Sequence, residues 1–271
     1  ILLQFSEHVA AKSADMAIKD PHGAIITLVS VLVVFFALTI LYFAYTFIGK
    51  ISSGKINWKK TIQKIQPQLS SGNIVYQNAV IGATPQDFHY EEGNPTHVII
   101  GNDNRIRENV VIAGGTNPDT ATIIGDGNFL MDRVHICHDV KIHNKCVIGI
   151  GVSIAGNCIV EDCSIQSSGV VIQQDVRIGR FSLIQSGCRV QKDVPPYIIL
   201  GGNPACYHGV NSYVLKSINV SERILRHIAN TYRLIYTANF SLEDAVIKIP
   251  EQIPMSEEIE NILVFIKDSK R

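Results

Sequence analysis

The sequence has few charged residues, no excess of either sign and no closely paired cysteines. Its 271 residues carry 24 Lys and Arg against 24 Asp and Glu, so the formal net charge is zero. This balance provides no basic field to attract nucleic acid, and no nucleic-acid partner is predicted. The six cysteines contain no CxxC motif, and we predict free thiols rather than a disulfide or zinc framework.

One long segment near the start of the chain lacks charge altogether. Residues 23–49 comprise 27 residues without Asp, Glu, Lys or Arg. A helix rises about 1.5 Å per residue, so this length crosses a bilayer core of about 30 Å. A signal peptide would have a shorter apolar region, of about 7–15 residues. We therefore predict a transmembrane helix over residues 24–49.

Basic residues predict the orientation of this helix. Five lysines and no acid lie between residues 50 and 64, whereas lysines and acids are mixed before the helix. The positive-inside rule then places the residues after it in the cytoplasm. The predicted location is the inner membrane, crossed once, with the cysteines on the reducing side. The chain begins with Ile, so we expect the natural N-terminus to lie upstream.

Two short segments flank the predicted membrane helix. Residues 1–23 form an extracytoplasmic lead, in which residues 6–19 are predicted to be an amphipathic helix. Residues 50–72 form a basic tether. Within it, residues 58–66 are predicted to be helical at the membrane surface, and Pro67 ends that helix.

A six-residue period begins near Asn73. Steps of six from Ile100 to Val190 give sixteen positions, of which fourteen are aliphatic; Pro118 and Gln166 are the exceptions. A period of six is neither that of a helix nor the period of two of a half-buried strand. It predicts a parallel β-helix, in which one aliphatic side chain per hexad points inward and Gly, Asn or Asp occupies the corners. Three hexads make one triangular coil of the left-handed form.

The predicted fold is therefore a left-handed parallel β-helix over residues 73–203, with an α-helical C-terminal domain over residues 204–271 and the transmembrane helix before it. Residues 85–97 and 114–120 break the period and are predicted to be loops that leave the solenoid. After a turn at residues 201–204, we predict helices that cap the open end of the solenoid.

Two histidines and a carboxylate lie together in the repeat. Counted from the inward Ile136, the side chains of His135 and His138 face outward, so neither is needed for the core. Asp139 can orient the imidazole of His138, and an imidazole that titrates near neutral pH can act as a general base. A surface histidine beside an acid and a metal site are the alternatives. No metal is predicted, because no third ligand is apparent and outward faces diverge.

Several blocks of this sequence are similar to the UDP-N-acetylglucosamine O-acyltransferases of lipid A biosynthesis. They are residues 81–90, 104–109, 115–116, 130–131, 135–139, 193–198 and 209–211. The resemblance runs from about residue 73 to the C-terminus. It implies a homotrimeric left-handed β-helix with active sites between subunits. It also implies transfer of a 3-hydroxyacyl chain from acyl carrier protein to a hydroxyl of a nucleotide sugar, with no cofactor.

The resemblance also implies roles for single residues. His138 would be the base that takes the hydroxyl proton, and Asp139 would orient it. The backbone N–H of Gly156 would stabilise the thioester oxyanion, since that task needs only a well-placed donor. A second group would bind the sugar substrate, and it consists of His135, Asp87, Gln86, Gln174 and Asn211.

The chain departs from the family pattern at several of these places. The family has histidine after the oxyanion glycine, where this chain has Asn157, and His-Gln-Phe where residues 173–175 read Gln-Gln-Asp. A lysine after the loop aspartate is His89 here. An Arg-Arg pair at the nucleotide phosphates reads Ser-Ile at residues 217–218, and a Gly-Gly pair at the acyl groove reads Gln-Ser at residues 185–186. The acyl length and the acceptor sugar are therefore left open.

Two alternatives to an acyltransferase follow from the N-terminal part. Residues 20–50 resemble the small gamma-type subunits of sodium-pumping decarboxylases. The chain could then be a non-catalytic trimeric scaffold, or a subunit of such a decarboxylase. It could also join segments of two unrelated reading frames. The scaffold is favoured by the missing phosphate-binding cations and by a membrane segment where the family has its first coils.

Overall fold

The chain forms two compact units, which divide between residues 62 and 63. The predicted break at residues 20–22 and the predicted tether helix at residues 58–66 lie outside the residues described. A computed structural model describes residues 2–19, 23–52, 67–238 and 240–269.

The described residues of the first unit form two helices, α1 (Leu2–Lys19) and α2 (Gly23–Ser52). In α2, the 19 residues Leu28–Thr46 have a mean hydropathy of 2.5 and lie exposed within the structure. The hydroxyl groups of Thr39 and Thr46 donate to carbonyls one turn earlier in the same helix, at 2.7 and 2.8 Å. By length and composition, α2 is able to cross a membrane, and no other helix in the described residues is.

The second unit begins with very short strands that pair in parallel and form three sheets. One sheet has the order β1-β4-β7-β10-β13-β16, the second has β2-β5-β8-β11-β14-β17-β19-β20, and the third has β3-β6-β9-β12-β15-β18. The strands are β1 (Gln68–Leu69), β2 (Ile74–Val75), β3 (Val80–Ala83), β4 (His97–Ile100), β5 (Arg105–Ile106), β6 (Val111–Ala113), β7 (Ala121–Ile124), β8 (Phe129–Leu130), β9 (His135–Ile136), β10 (Lys141–Ile142), β11 (Val147–Ile148), β12 (Ser153–Ile154), β13 (Ile159–Val160), β14 (Ile165–Gln166), β15 (Val171–Ile172), β16 (Arg177–Ile178), β17 (Leu183–Ile184), β18 (Arg189–Val190), β19 (Ile198–Gly201) and β20 (Cys206–Val210).

The pairing register confirms the predicted coil. Asn144 and Asp162, which bond across neighbouring coils, are 18 residues apart, which is three hexads. The same corner contact spans 24 residues from Asn102 to Asp126 and 31 residues from Ser71 to Asn102. The longer spacings arise because the two predicted loops leave the coil there. The β-helix was predicted to begin at residue 73, but strand pairing starts earlier. Gln68 and Leu69 of β1 already pair in parallel with β4.

The aliphatic row of the hexads forms the core. Its members from Ile100 to Val190 are buried, and Gln166 is buried in the same row, where its amide donates to Ser164 at 3.2 Å. Corner residues such as Asp139 and Asn157 adopt a φ of +59°. Polar Asn and Asp tolerate this left-handed conformation better than other non-glycine residues, which explains why they recur at the corners.

The end of the β-helix differs from the prediction in one element. A turn was expected to lead directly into helices, but β20 first pairs antiparallel with β19. The helices then cover this end: the hydroxyl of Tyr232 donates to the carbonyl of Pro196, and the guanidinium of Arg177 stacks on Phe265. The helices are α3 (Ser212–Ser217), α4 (Glu222–Tyr236), α5 (Leu242–Gln252) and α6 (Glu257–Asp268).

Candidate active site

Three of the predicted site residues stack at one corner of the β-helix. His138, Gly156 and Gln174 follow β9, β12 and β15, which are neighbours in one sheet. Backbone bonds join these coils, since the N–H of Asn157 donates to the carbonyl of His138 at 3.1 Å and the N–H of Asp175 to that of Gly156 at 3.0 Å. The 18-residue coil therefore brings residues together that are distant in sequence.

Both loops leave the solenoid at this same corner. Residues 85–97 follow β3 and residues 114–120 follow β6, and β6 pairs with both β3 and β9. The N–H of Gly114 donates to the carbonyl of Ala83 at 2.9 Å, which joins the starts of the two loops. His138 was predicted to face outward, but it is only 7% exposed, because loop residues cover the corner.

The imidazole of His138 has three polar neighbours. Its Nδ1 atom lies 3.0 Å from Oδ2 of Asp139 and 2.9 Å from Oγ1 of Thr116. Its Nε2 atom lies 3.6 Å from Oδ2 of Asp87. An ionised carboxylate only accepts hydrogen bonds, so the contact with Asp139 assigns the proton to Nδ1 and leaves the lone pair on Nε2. This is the arrangement of a histidine able to accept a proton.

Hydrogen bonds keep Asp139 ionised. Burial alone raises the pKa of its carboxyl, but hydrogen bonds from the side chains of Thr120 and His138 and from Thr116 outweigh burial and lower the pKa below its ordinary value. The backbone N–H of Asp139 donates to the hydroxyl of Thr122 at 2.9 Å. A charged, fixed carboxylate can therefore stabilise an imidazolium at His138.

The second carboxylate, Asp87, is also ionised. Its pKa is lowered mainly by the backbone N–H of His89, and further by the ring of His89. Both groups contact Oδ1 of Asp87 at 3.0 Å. The other oxygen, Oδ2, stays directed at His138. His89 thus contacts the loop aspartate at the position where the family pattern has lysine.

Gly156 lies directly against the ring of His138. A Cβ atom built at Gly156 would be 2.3 Å from Nε2 and 2.4 Å from Cε1, so no larger residue fits without displacing the imidazole. The N–H of Gly156 therefore points to no acceptor of its own coil and has no hydrogen-bond partner in the described part of the chain.

The remaining predicted residues are placed differently. His135 begins β9 and is half-buried, while Gln86 and Gln174 are exposed. Asn211 is buried at the start of α3, where its side-chain amide donates to the carbonyl of Phe181 at 2.9 Å. The structure therefore brings Asp87, His138, Asp139 and Gly156 together, and in the described residues it shows no contact between these and Asn211.

A groove opens on the other side of the corner. It has a volume of about 570 Å³, and Asp139, Lys141 and Asn157 contribute to its wall. Within the described residues, no group of three or more His, Cys, Asp or Glu could hold a metal ion. The contact between Thr116 and His138 was missed from the sequence, where Gly115-Thr116 entered only as part of a similar block.

Comparisons with known proteins identify the family of the chain. A family model described as domain 2 of UDP-N-acetylglucosamine O-acyltransferase matches residues 193–271. An acyl-[acyl-carrier-protein]–UDP-N-acetylglucosamine O-acyltransferase of Nautilia profundicola is 34% identical over 204 residues, which are 75% of this chain and 78% of that protein. The chain belongs to the UDP-N-acetylglucosamine O-acyltransferase family. These matches do not favour the scaffold or decarboxylase-subunit alternative.

Further relatives support the same assignment. A Synechocystis protein of the same description is 35% identical over 179 residues, and the match spans 66% of this chain and 64% of that protein, less than two thirds of its length. A solved UDP-N-acetylglucosamine acyltransferase of Bacteroides fragilis is 41% identical, with a TM-score of 0.73 over 76% of this chain and 82% of that chain. An Acinetobacter baumannii structure has 30% identity, a TM-score of 0.72 and coverages of 76% and 80%. These neighbours and the parallel sheets fit the predicted left-handed β-helix with C-terminal helices.

Proposed function

We propose that this chain transfers a 3-hydroxyacyl group from acyl carrier protein to a hydroxyl of UDP-N-acetylglucosamine or a related nucleotide sugar, in lipid A biosynthesis. The supporting observation is the convergence of His138, Asp139 and Gly156 at one corner. A base, its orienting carboxylate and a free backbone donor are the parts that acyl transfer from a thioester needs.

In the proposed reaction, Nε2 of His138 takes the proton of the sugar hydroxyl as the hydroxyl oxygen attacks the thioester carbon. The N–H of Gly156 donates to the oxygen that becomes negative in the tetrahedral intermediate. The carbon–sulfur bond then breaks, and His138 returns the proton to the leaving sulfur. Asp139 stabilises the imidazolium between these two steps, because it stays ionised and lies 3.0 Å from Nδ1.

The acceptor is held by fewer charges than the family pattern provides. Ser217 and Ile218 are exposed where that pattern has two arginines. A hydrogen bond to a charged group contributes about 1.5–3 kcal/mol, so each lost contact weakens binding by about 10- to 100-fold. We therefore expect a high KM for UDP-N-acetylglucosamine. Asp87, His135, Gln86 and Gln174 are the proposed sugar-binding residues, and Asn211 would contribute from the C-terminal domain.

The test is transfer by the purified full chain in detergent. A 3-hydroxyacyl carrier protein and UDP-N-acetylglucosamine are supplied, and acylated sugar nucleotide is measured by mass spectrometry. We expect activity to fall about 10²- to 10⁴-fold in His138→Ala. The exposed His143→Ala is the matched control and should retain activity. Full activity in His138→Ala would refute the mechanism.

The helix α2 supports a further proposal on location and organisation. We propose that residues 24–49 cross the inner membrane once, between the lead at 1–23 and the tether at 50–72, with the β-helix in the cytoplasm. The apolar stretch Leu28–Thr46 is long enough for this. Retention in the membrane fraction after alkaline extraction tests insertion. Labelling of single cysteines from each side of sealed vesicles tests orientation.

A homotrimer is proposed for the β-helical domain at residues 73–203 with its helical cap at 204–271. The groove beside Asp139 leaves the site open on one side, which suits a site completed by a second subunit. The mass of the detergent-solubilised protein by light scattering tests this, and a monomer that is active would contradict it.

A further inference from the structure

The hydroxyl and backbone of Thr116 contact the ring of His138 and both carboxylates beside it, Asp87 and Asp139. Oγ1 of Thr116 lies 2.9 Å from Nδ1 of His138 and 3.4 Å from Oδ2 of Asp87. The N–H of Thr116 donates to Oδ2 of Asp139 at 3.0 Å. Thr116 is only 6% exposed, so water competes little for these contacts.

The directions of these hydrogen bonds follow from the number of protons. A threonine hydroxyl has one proton to donate and can also accept. The carboxylates of Asp87 and Asp139 can only accept, so the hydroxyl proton is donated to these carboxylates and not to the ring nitrogen. The same hydroxyl then accepts from Nδ1–H of His138. The proton on Nδ1 is thus shared between the Thr116 oxygen and the Asp139 carboxylate.

We propose that Thr116 is a positioning residue that couples Asp87, in the loop at residues 85–97, to the base His138. Its hydroxyl ties Asp87 of residues 85–97 to the same ring nitrogen that Asp139 orients. Nε2, which carries the lone pair, is thereby held 3.6 Å from the carboxylate proposed to bind the sugar. The inference rests on the proposed function, and it adds a residue for which no role was predicted.

The neighbouring Thr96 provides a matched control. It is 1% exposed, and its Oγ1 finds no hydrogen-bond partner within the described residues. It packs against Gly114 at the start of the same loop, because a Cβ built at Gly114 would meet the Thr96 hydroxyl at 2.5 Å. Removing the Thr96 hydroxyl therefore changes a buried threonine beside the loop without breaking a bond to the base.

The experiment compares Thr116→Val, which removes the hydroxyl but keeps the shape, with Thr116→Ser, which keeps the hydroxyl. Loss of a hydrogen bond to charged groups predicts kcat/KM about 10- to 100-fold lower in Thr116→Val. The decrease should appear in kcat as well as in KM, since both the base and Asp87 lose their position. Thr116→Ser should restore most of the activity, and Thr96→Val should match the unmodified protein.

A second measurement does not need turnover. In the full chain labelled with ¹⁵N-histidine, the Nδ1 proton of His138 should exchange with water about tenfold faster in Thr116→Val than in Thr116→Ser. Unchanged exchange in Thr116→Val, or an activity loss that Thr116→Ser does not restore, overturns the inference. If the unmodified chain transfers no acyl group, the proposed function fails, and the exchange rates still decide the role of Thr116.

Discussion

The backbone of Gly156 and the ring of His138 occupy adjoining space one coil apart, and a Cβ at residue 156 would lie 2.3 Å from Nε2. The φ of Gly156 is not in the left-handed region, so the backbone itself would accept alanine. The need for glycine at this position therefore comes from the imidazole and not from the corner.

We predict that Gly156→Ala loses activity without a large loss of stability. The methyl group would push the imidazole away, and a displacement of about 1 Å can lower a rate by about 100-fold. The control is Gly151→Ala, where open space surrounds the Cβ but φ is +66°. That variant should lose about 1 kcal/mol of unfolding free energy and keep its kcat. Equal activities of the two variants in the transfer assay would contradict the packing argument.

The ionised state of Asp139 predicts a loss of stability in acid. Its folded-state pKa lies below the reference value of 3.8, so the unfolded chain takes up the proton first as pH falls. The stability contributed by this carboxylate is present above pH 3.8 and is lost below it. In urea denaturation at pH values from 7 down to 3, the free energy of unfolding should therefore fall more steeply with decreasing pH in the unmodified chain than in Asp139→Asn. Parallel curves would exclude this contribution.

The ion pair between Arg177 and Glu161 is expected to stabilise the packing of α6 on the β-helix. Nε of Arg177 donates to Oε1 of Glu161 at 2.6 Å, and the guanidinium stacks on Phe265 of α6. Because Glu161 is only 8% exposed, Arg177→Ala leaves a buried carboxylate that loses its charged partner and keeps the hydrogen bond from the backbone N–H of Arg180 at 3.1 Å. We expect a loss of about 3 kcal/mol in unfolding free energy. Arg105→Ala, at an exposed strand start, should cost close to nothing by the same urea titration.

Buried Gln166 predicts a stabilising substitution. Its side chain lies in the aliphatic row, and its Oε1 has no partner within the described part of the chain. An unsatisfied buried acceptor costs about 1–3 kcal/mol, whereas leucine has a similar volume and no polar atom. Gln166→Leu should therefore raise the urea midpoint, while the exposed Gln173→Leu should not. A lower midpoint in Gln166→Leu would indicate that a bound water already satisfies the amide oxygen.

The six-residue period predicted the coil, the core row and the corner that carries His138. This was possible because the position of an aliphatic residue within its own hexad decides whether its side chain points inward, and distant residues do not affect this. The burial of His138 was not predictable in this way, since it depends on where residues 114–120 turn after leaving the coil. The strand β20 was also missed, because residues 206–210 contain a glycine and do not alternate between apolar and polar.

The residues given roles by the family resemblance fall into two groups, one at the corner of the β-helix and one in the helical C-terminal domain. His138 and Gly156 meet because they follow neighbouring strands of one sheet, and Asp139 is the next residue after His138. Asp87 reaches them through the loop at residues 85–97, whose path the register does not determine. Asn211 belongs to the helical cap and contacts Phe181 instead. Its proposed contact with substrate depends on how a second subunit would complete the groove, which the period of one chain does not determine.

The cysteines predict a selective pattern of thiol labelling. Cys146 is fully buried, and burial raises the pKa of its thiol to about 11, so at pH 8 only about one molecule in a thousand carries the reactive thiolate. Cys206 is exposed on β20. Iodoacetamide at pH 8 should therefore modify Cys206 in the folded chain and Cys146 only after unfolding, as read by peptide mass spectrometry. The Cys206→Ser variant should lose the fast labelling, and early labelling of Cys146 would mean that the coil opens locally.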